Sequence, residues 1–336
     1  MYVSFQPCYP YQRTKDFVAE VSANYPTLVH QLPSAGTNHV IDILSNQTNE
    51  LSQTVTGQPF YGFGVWSPDF DSRTPQRAVV LTAAVHPGEH VADWAFEGFV
   101  RYLLSDDSKA VQLRSKYQFL VYPNINPMGR YGGSHVRGQW DSASLYKNAN
   151  RDFGTDVNAF QLESSQVLRD ALTLDAADRE VACSLDFHGQ QDDPTGKPIA
   201  YWFVNAATAD ATLRAAFEDR MQTYNAAYFE RESSAGDSAC TSYMQREWGS
   251  RHAYSPEGYE QHSAPGGTAD YMLFGEHLAK TLADSLADMV LDGAYPIIDA
   301  AITLDFPGTA PCSLLGYQVW SKLTVTDEEI TALWGE

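Results

Sequence analysis

His86 and Glu89 stand three residues apart in the stretch Ala83-Ala84-Val85-His86-Pro87-Gly88-Glu89-His90-Val91-Ala92-Asp93. An imidazole and a carboxylate at that spacing can grip one metal ion from a tight turn. A catalytic zinc takes three protein ligands and keeps one position open, and two His plus one Glu is a known set. A surface turn can carry His and Glu at the same spacing, and on the pair alone that reading stands beside the metal one. His90 extends the pattern to His-x-x-Glu-His, which a metal would read from one helix face. Pro87 and Gly88 argue against a helix between those ligands.

The flanking residues say what must hold the pair. Ala78 to Val85 is an apolar run that predicts a buried strand, and Val91 to Leu104 carries apolar residues at helical spacing. The pair therefore belongs to the turn where a strand hands over to a helix, the end of an open α/β sheet where ligands bind. Further buried strands are predicted at Tyr117 to Tyr122, Val181 to Phe187 and Ala300 to Phe306, with shorter ones at His39 to Leu44, Phe60 to Trp66 and Tyr201 to Val204. Helices are predicted over Lys15 to Leu32, Gln161 to Leu174, Thr208 to Tyr228, Gly275 to Gly293 and Thr326 to Trp334. Pro123 to Gly129 is predicted to be irregular, and Gly129 to Arg151 and Glu232 to Gly267 read as long polar loops. Strands alternating with helices imply one α/β domain over 1–336, with a mixed, mostly parallel central sheet and helices on both faces.

The chain has 336 residues, 43% of them hydrophobic and 19% charged, enough for a sizeable core. Its net charge of −20 argues against nucleic acid and against an anionic membrane surface as partners. A cationic substrate fits that charge, and so does a solubilising acidic surface. Cys8, Cys183, Cys240 and Cys312 show no metal-site or disulfide spacing and are expected as free thiols. Without a visible signal peptide, the cytoplasm is the favoured compartment. Oligomeric state is not legible.

Four features line up along the chain: His86/Glu89; Asn126-Pro127 followed by arginines; Asn150-Arg151 within Asn148 to Phe153; and Asp186-Phe187-His188-Gly189. In this order they resemble the zinc metallocarboxypeptidase family, as does Pro265-Gly266-Gly267-Thr268-Ala269-Asp270-Tyr271, which is similar to its pocket-lining Ser-Gly-Gly-Ser-x-Asp-Trp segment. The resemblance implies one zinc ion on His86, Glu89 and His188, and a substrate C-terminal carboxylate on Asn150 and Arg151. It implies an oxyanion-stabilising arginine, Arg137 before Arg130. It places Asp270 in the pocket for the terminal side chain, and Tyr259 or Tyr254 over the substrate. The activity implied is hydrolysis of a C-terminal peptide bond. An N-acyl amino acid amidohydrolase of the same fold is the alternative.

The general base departs from the family pattern. The family has Glu on a late strand, where Ala301-Ile302-Thr303-Leu304-Asp305-Phe306 offers Asp305. Asp305 as base, Glu276 or Glu260 in its stead, and a peptide-binding domain with weak hydrolysis all remain open. Asn148 stands where Asp usually orients the first zinc histidine. Asp186 either orients His188 or caps its strand.

Overall fold

The computed structural model describes residues 7–48, 53–70, 76–132, 138–140, 146–156, 159–190, 201–205, 211–225, 229–231, 238–250, 252–259, 267–292, 302–304 and 312–314. Arg137, Asp305, Glu260 and the helix expected over Thr326 to Trp334 lie outside the described residues, and so does the side chain of Tyr259. The chain groups into two compact units, Met1–Asp284 and Ser285–Glu336.

The first unit is built on an eight-stranded sheet. Its strands are β1 (Val29–Gln31), β2 (Phe63–Val65), β3 (Gln76–Ala83), β4 (Gln118–Tyr122), β5 (Arg179–Gln190), β6 (Tyr201–Asn205), β7 (Phe229–Arg231) and β8 (His252–Tyr259). Their order is β1-β2-β4-β3-β5-β8-β6-β7. The centre, β4-β3-β5-β8, is parallel, as is β6-β7, while the pairings β1-β2, β2-β4 and β8-β6 are antiparallel, so the sheet is mixed. Residues 78–83 of β3 and all of β4 are buried, as strands covered on both faces must be.

The helices are α1 (Tyr11–Asn24), α2 (His90–Leu103), α3 (Ser108–Lys116), α4 (Pro127–Gly132), α5 (Glu163–Asp175), α6 (Ala211–Asn225), α7 (Cys240–Trp248) and α8 (Thr268–Asp292). Side chains alternate along a strand, so Phe187 and its neighbours Asp186 and His188 face opposite ways. Phe187 meets Phe96 and Phe99 of α2 at ring distances of 5.4 and 5.8 Å. On the other face, Thr241 of α7 bonds Ser255, which stands two residues before Glu257, the register partner of His188 on β8. The expected α/β fold with helices on both faces is therefore observed.

α2 and α8 touch backbone to backbone. A Cβ on Gly98 would sit 2.1 Å from Met272 O, and one on Gly275 would sit 1.8 Å from Ala95 O. Only glycine permits that crossing.

Several elements differ from expectation. Lys15 to Leu32 divides into α1 and β1, because Pro26 ends the helical course and Val29 pairs with Val65. Phe60 to Trp66 breaks at Gly62 into Pro59–Tyr61 and β2. Pro127 opens a helix, α4, where irregular chain was expected, since proline suits a first helical turn. The largest correction is Glu232 to Gly267, which contains both α7 and β8. Ile302–Leu304 forms a two-stranded antiparallel pair with Cys312–Leu314.

Candidate metal centre

β3 ends at Ala83, and Ala84 takes a positive φ of 62°. That kink turns the chain into His86-Pro87-Gly88-Glu89, and Glu89 sits at the N-cap of α2. The ligand turn is thus not helical, as Pro87 and Gly88 imply. His188 arrives from β5, the strand paired with β3, near its carboxyl end.

His86, Glu89 and His188 are all buried, at 8%, 2% and 3% exposure, and each offers a ligand atom within 4.8 Å of the others. His86 Nδ1 lies 2.6 Å from one carboxylate oxygen of Glu89, and His188 Nδ1 lies 3.0 Å from the other. The second oxygen also accepts the Gly189 N–H at 2.9 Å. Each imidazole is held from behind. His86 Nε2 donates to Asn148 Oδ1 at 3.0 Å, and His188 Nε2 donates to Asp186 Oδ2 at 2.7 Å. Those acceptors fix the protons on Nε2 and leave both Nδ1 atoms turned toward Glu89. Asn148 Oδ1 also accepts the Asn150 N–H, and Asp186 Oδ1 accepts the Thr82 hydroxyl at 2.8 Å. Asp186 therefore orients His188 and does not cap the strand.

Burial works against charge on Glu89, yet His86 and His188 hold its carboxyl well below the usual carboxylate range. Burial likewise disfavours charge on His188, but Asp186 and Glu89 raise it well above the ordinary imidazole value. A divalent cation fits this donor set: two imidazoles and one ionised carboxylate converge in a buried cluster, with their outer hydrogen bonds already made.

Asn150 stands at the rim. Its Nδ2 lies 3.4 Å from His188 Nε2, and its Oδ1 accepts the Cys240 N–H at 2.8 Å, at the start of α7. Arg151 follows it and is exposed, with Nη1 donating to Asn150 O at 2.7 Å. Asp152 anchors this segment by accepting from Gln161 N, Leu162 N and the Ser165 hydroxyl.

Other sequence candidates lie elsewhere. Asp270 falls in the first turn of α8 and lines a cleft with Gly98, Arg101 and Tyr102 of α2, apart from the three ligands. The helix begins at Thr268, which takes the supposed pocket segment into regular structure. Glu276 lines the same cleft and pairs with Lys280 at 2.6 Å. Tyr254 is 1% exposed, bonded to His252 and packed on Phe217. Tyr259 closes β8. Arg130 is buried in an ion pair with Asp93 and donates to Tyr9 O, so it does not serve the carbonyl site.

One carboxylate escaped the sequence reading. Glu257 of β8 is the register partner of His188 on the neighbouring parallel strand, and partners in register share a sheet face. It is half-buried. A signal was present: Cys240, Tyr243, Met244 and Trp248 recur at helical spacing and Gly249 follows as a stop, so the residues after it had room for a strand.

Over 144 residues the chain is 33% identical to cytosolic carboxypeptidase 2 of Danio rerio, a match covering 41% of this chain and 19% of that protein. Over 139 residues it is 31% identical to cytosolic carboxypeptidase 3 of Mus musculus, covering 41% and 13% respectively. The match thus spans less than a fifth of either relative's length. Among solved structures, the metallo-carboxypeptidase of Burkholderia cenocepacia superposes with a TM-score of 0.62 at 20% identity, covering 85% of this chain and 71% of that one. Carboxypeptidase A of Helicoverpa armigera does so at 0.60 and 12% identity, covering 88% and 76%. These likenesses show the fold. The zinc carboxypeptidase family model matches residues 45–297, a span holding His86, Glu89, His188 and the whole centre of the sheet, and the chain belongs to that family of metallopeptidases.

Proposed function

We propose that this protein is a zinc-dependent metallocarboxypeptidase that hydrolyses the C-terminal peptide bond of a peptide. The observation that carries the reading is the buried His86–Glu89–His188 cluster, with both Nδ1 atoms turned to one carboxylate. Zinc bound there would polarise the scissile carbonyl and acidify a water molecule. Asn148 and Asp186 keep the two imidazoles in the ligand tautomer. Glu257, beside His188, would take the proton of the attacking water and return it to the leaving amine. Asn150 would donate a hydrogen bond to the substrate's terminal carboxylate, and the Arg151 fork would pair with that group. Arg137 would stabilise the developing oxyanion and Tyr259 would close over the substrate.

With Glu257 available, the motive for a domain that binds without cutting falls away. The partner is a peptide, and the charge of −20 disfavours nucleic acid and membrane. Among the described residues no helix is long and apolar enough to cross a membrane. The cytoplasm remains the favoured compartment, a choice supported by the word cytosolic in the relatives' names.

Turnover of a mixed peptide library by zinc-loaded protein, read by mass spectrometry, tests the reading. Ladders shortened one residue at a time from the C-terminus are expected, and should vanish with a chelator. Glu257→Gln should lower turnover by roughly 10²- to 10⁴-fold with zinc still bound, and Asp305→Ala should leave most of it. The reverse ranking would move the base to Asp305. No shortening by zinc-loaded protein would overturn the carboxypeptidase reading.

A further inference from the structure

We propose that the segment Ile125–Arg130 is a mould for the metal-binding turn, with Asn126 and Arg130 as its positioning residues. The proposal rests on the metal reading of His86, Glu89 and His188. The segment touches the turn on both sides of both ligands it carries. Ile125 N donates to Ala83 O at 3.0 Å, and Asn126 Nδ2 donates to Val85 O at 3.1 Å, just before His86. Gly129 passes so close to the turn that an added Cβ would sit 2.8 Å from Pro87 Cγ. Arg130 reaches past Glu89: one guanidinium nitrogen donates to His90 Nδ1 and to Tyr9 O, and the other to Asp93 Oδ2 at 2.5 Å. Asn126 fixes the mould itself, since its Oδ1 accepts the Gly129 N–H and its backbone O accepts the Arg130 N–H.

Burial makes a positioning role the natural one for Arg130. Both side chains of the Arg130–Asp93 pair are 1% exposed. A dry ion pair contributes little net stability, and two apolar residues often hold a fold as well. What apolar residues cannot do is tie the first turn of α2, the N-terminal strap at Tyr9 and α4 together at fixed donor and acceptor positions. Glu89 is the residue immediately before that tie. Held on one flank by Asn126 and on the other by Arg130, its carboxylate meets both imidazoles without searching for them.

The test compares Asp93→Leu/Arg130→Met, which deletes the tie and leaves no orphan charge, with Arg13→Met. Arg13 pairs with Glu97 further along the same helix, away from the turn. Zinc affinity is read by competition with a chromophoric chelator, the site's geometry by the visible spectrum of the cobalt-loaded protein, and folding by thermal melting. The double variant should melt near the wild type, bind zinc on the order of ten- to a hundredfold more weakly, and show an altered cobalt spectrum. Arg13→Met should keep wild-type affinity and spectrum. Wild-type affinity and spectrum in a folded double variant would overturn the proposal, and so would equal losses in Arg13→Met. Should the double variant not fold, Arg130→Lys keeps the charge beside Asp93 and loses the fork, and wild-type zinc affinity there overturns the proposal equally. Wild-type protein that binds neither metal strikes the metal reading instead.

Discussion

At the scale of single residues, the three candidate ligands and the acceptors behind them are legible because each needs a particular side chain in a particular place. His86-x-x-Glu89, His188, Asn148 and Asp186 can be read directly, and the structure brings all five together. Glu257 could not be read the same way, because what singles it out is its register with His188, a relation between strands distant in sequence. Ala84 was equally silent. Its φ of 62° is set by the demand that β3 turn sharply into the ligand loop. A β-branched residue there is a genuine outlier, and left-handed backbone costs an L-residue about 1–2 kcal/mol. Ala84→Val is therefore expected to lose more than about 2 kcal/mol, and Ala84→Gly to stay within about 1 kcal/mol of the wild type. Chemical denaturation of the two variants checks this. Equal effects would mean the kink is not sterically demanding.

At the scale of elements, and among the described residues, long apolar runs gave true strands and amphipathic runs gave true helices, and the misses have physical causes. α7 and β8 were hidden because Ser250, Pro256 and Gly258 interrupt the patterns that mark regular structure. Pro256 is tolerated within β8 although it lacks an N–H. The contact of α2 with α8 was hidden too, since it depends on two glycines that sequence reading treats as weak helix formers. Gly275→Ala would thrust its Cβ onto Ala95 O and Phe99 N, both backbone, so the helices themselves must part. A loss of about 1–3 kcal/mol is expected, the range for overpacking a close contact. Because α2 carries Glu89 at its N-cap, zinc affinity should fall as well. An Ala variant as stable as the wild type would show that the crossing has slack.

At the scale of the whole molecule, composition announced a large α/β core, and the sheet of the first unit supplies it. Its dependence on pH follows from groups that folding desolvates. His277 of α8 is half-buried and stacked on Tyr224, with a ring distance of 5.9 Å. Burial lowers its pKa, and its Nδ1 is buried with no hydrogen-bond partner among the described residues. The folded value lies below the unfolded one, so the contribution of His277 is intact above about pH 6.5 and is lost as pH falls from there toward the folded value. His277→Phe keeps the ring and removes the titration. Its melting temperature should drop less than that of the wild type between about pH 7 and about pH 5. Parallel curves would assign the acid sensitivity to other groups, with His39, whose pKa burial also lowers, the next to test.

Of the three candidate metal ligands, His188 lies on β5 and the other two follow β3, two neighbouring strands in the middle of the sheet that are paired from Arg179 and Gln76 to Phe187 and Ala83. A ligand borne on a loop can loosen while its scaffold stays intact, but His188, carried on β5 itself, cannot. To free His188, the chain must break the pairing of β5 with β8, where it stands opposite Glu257. The amides of residues 80–83 and 184–187 should therefore exchange with deuterated solvent only through global unfolding, at rates set by the stability of the whole first unit. Faster exchange there than in the rest of the core would show that the centre opens on its own. His188 then has no private way to leave: the cluster loses that imidazole and the first unit its fold in the same event.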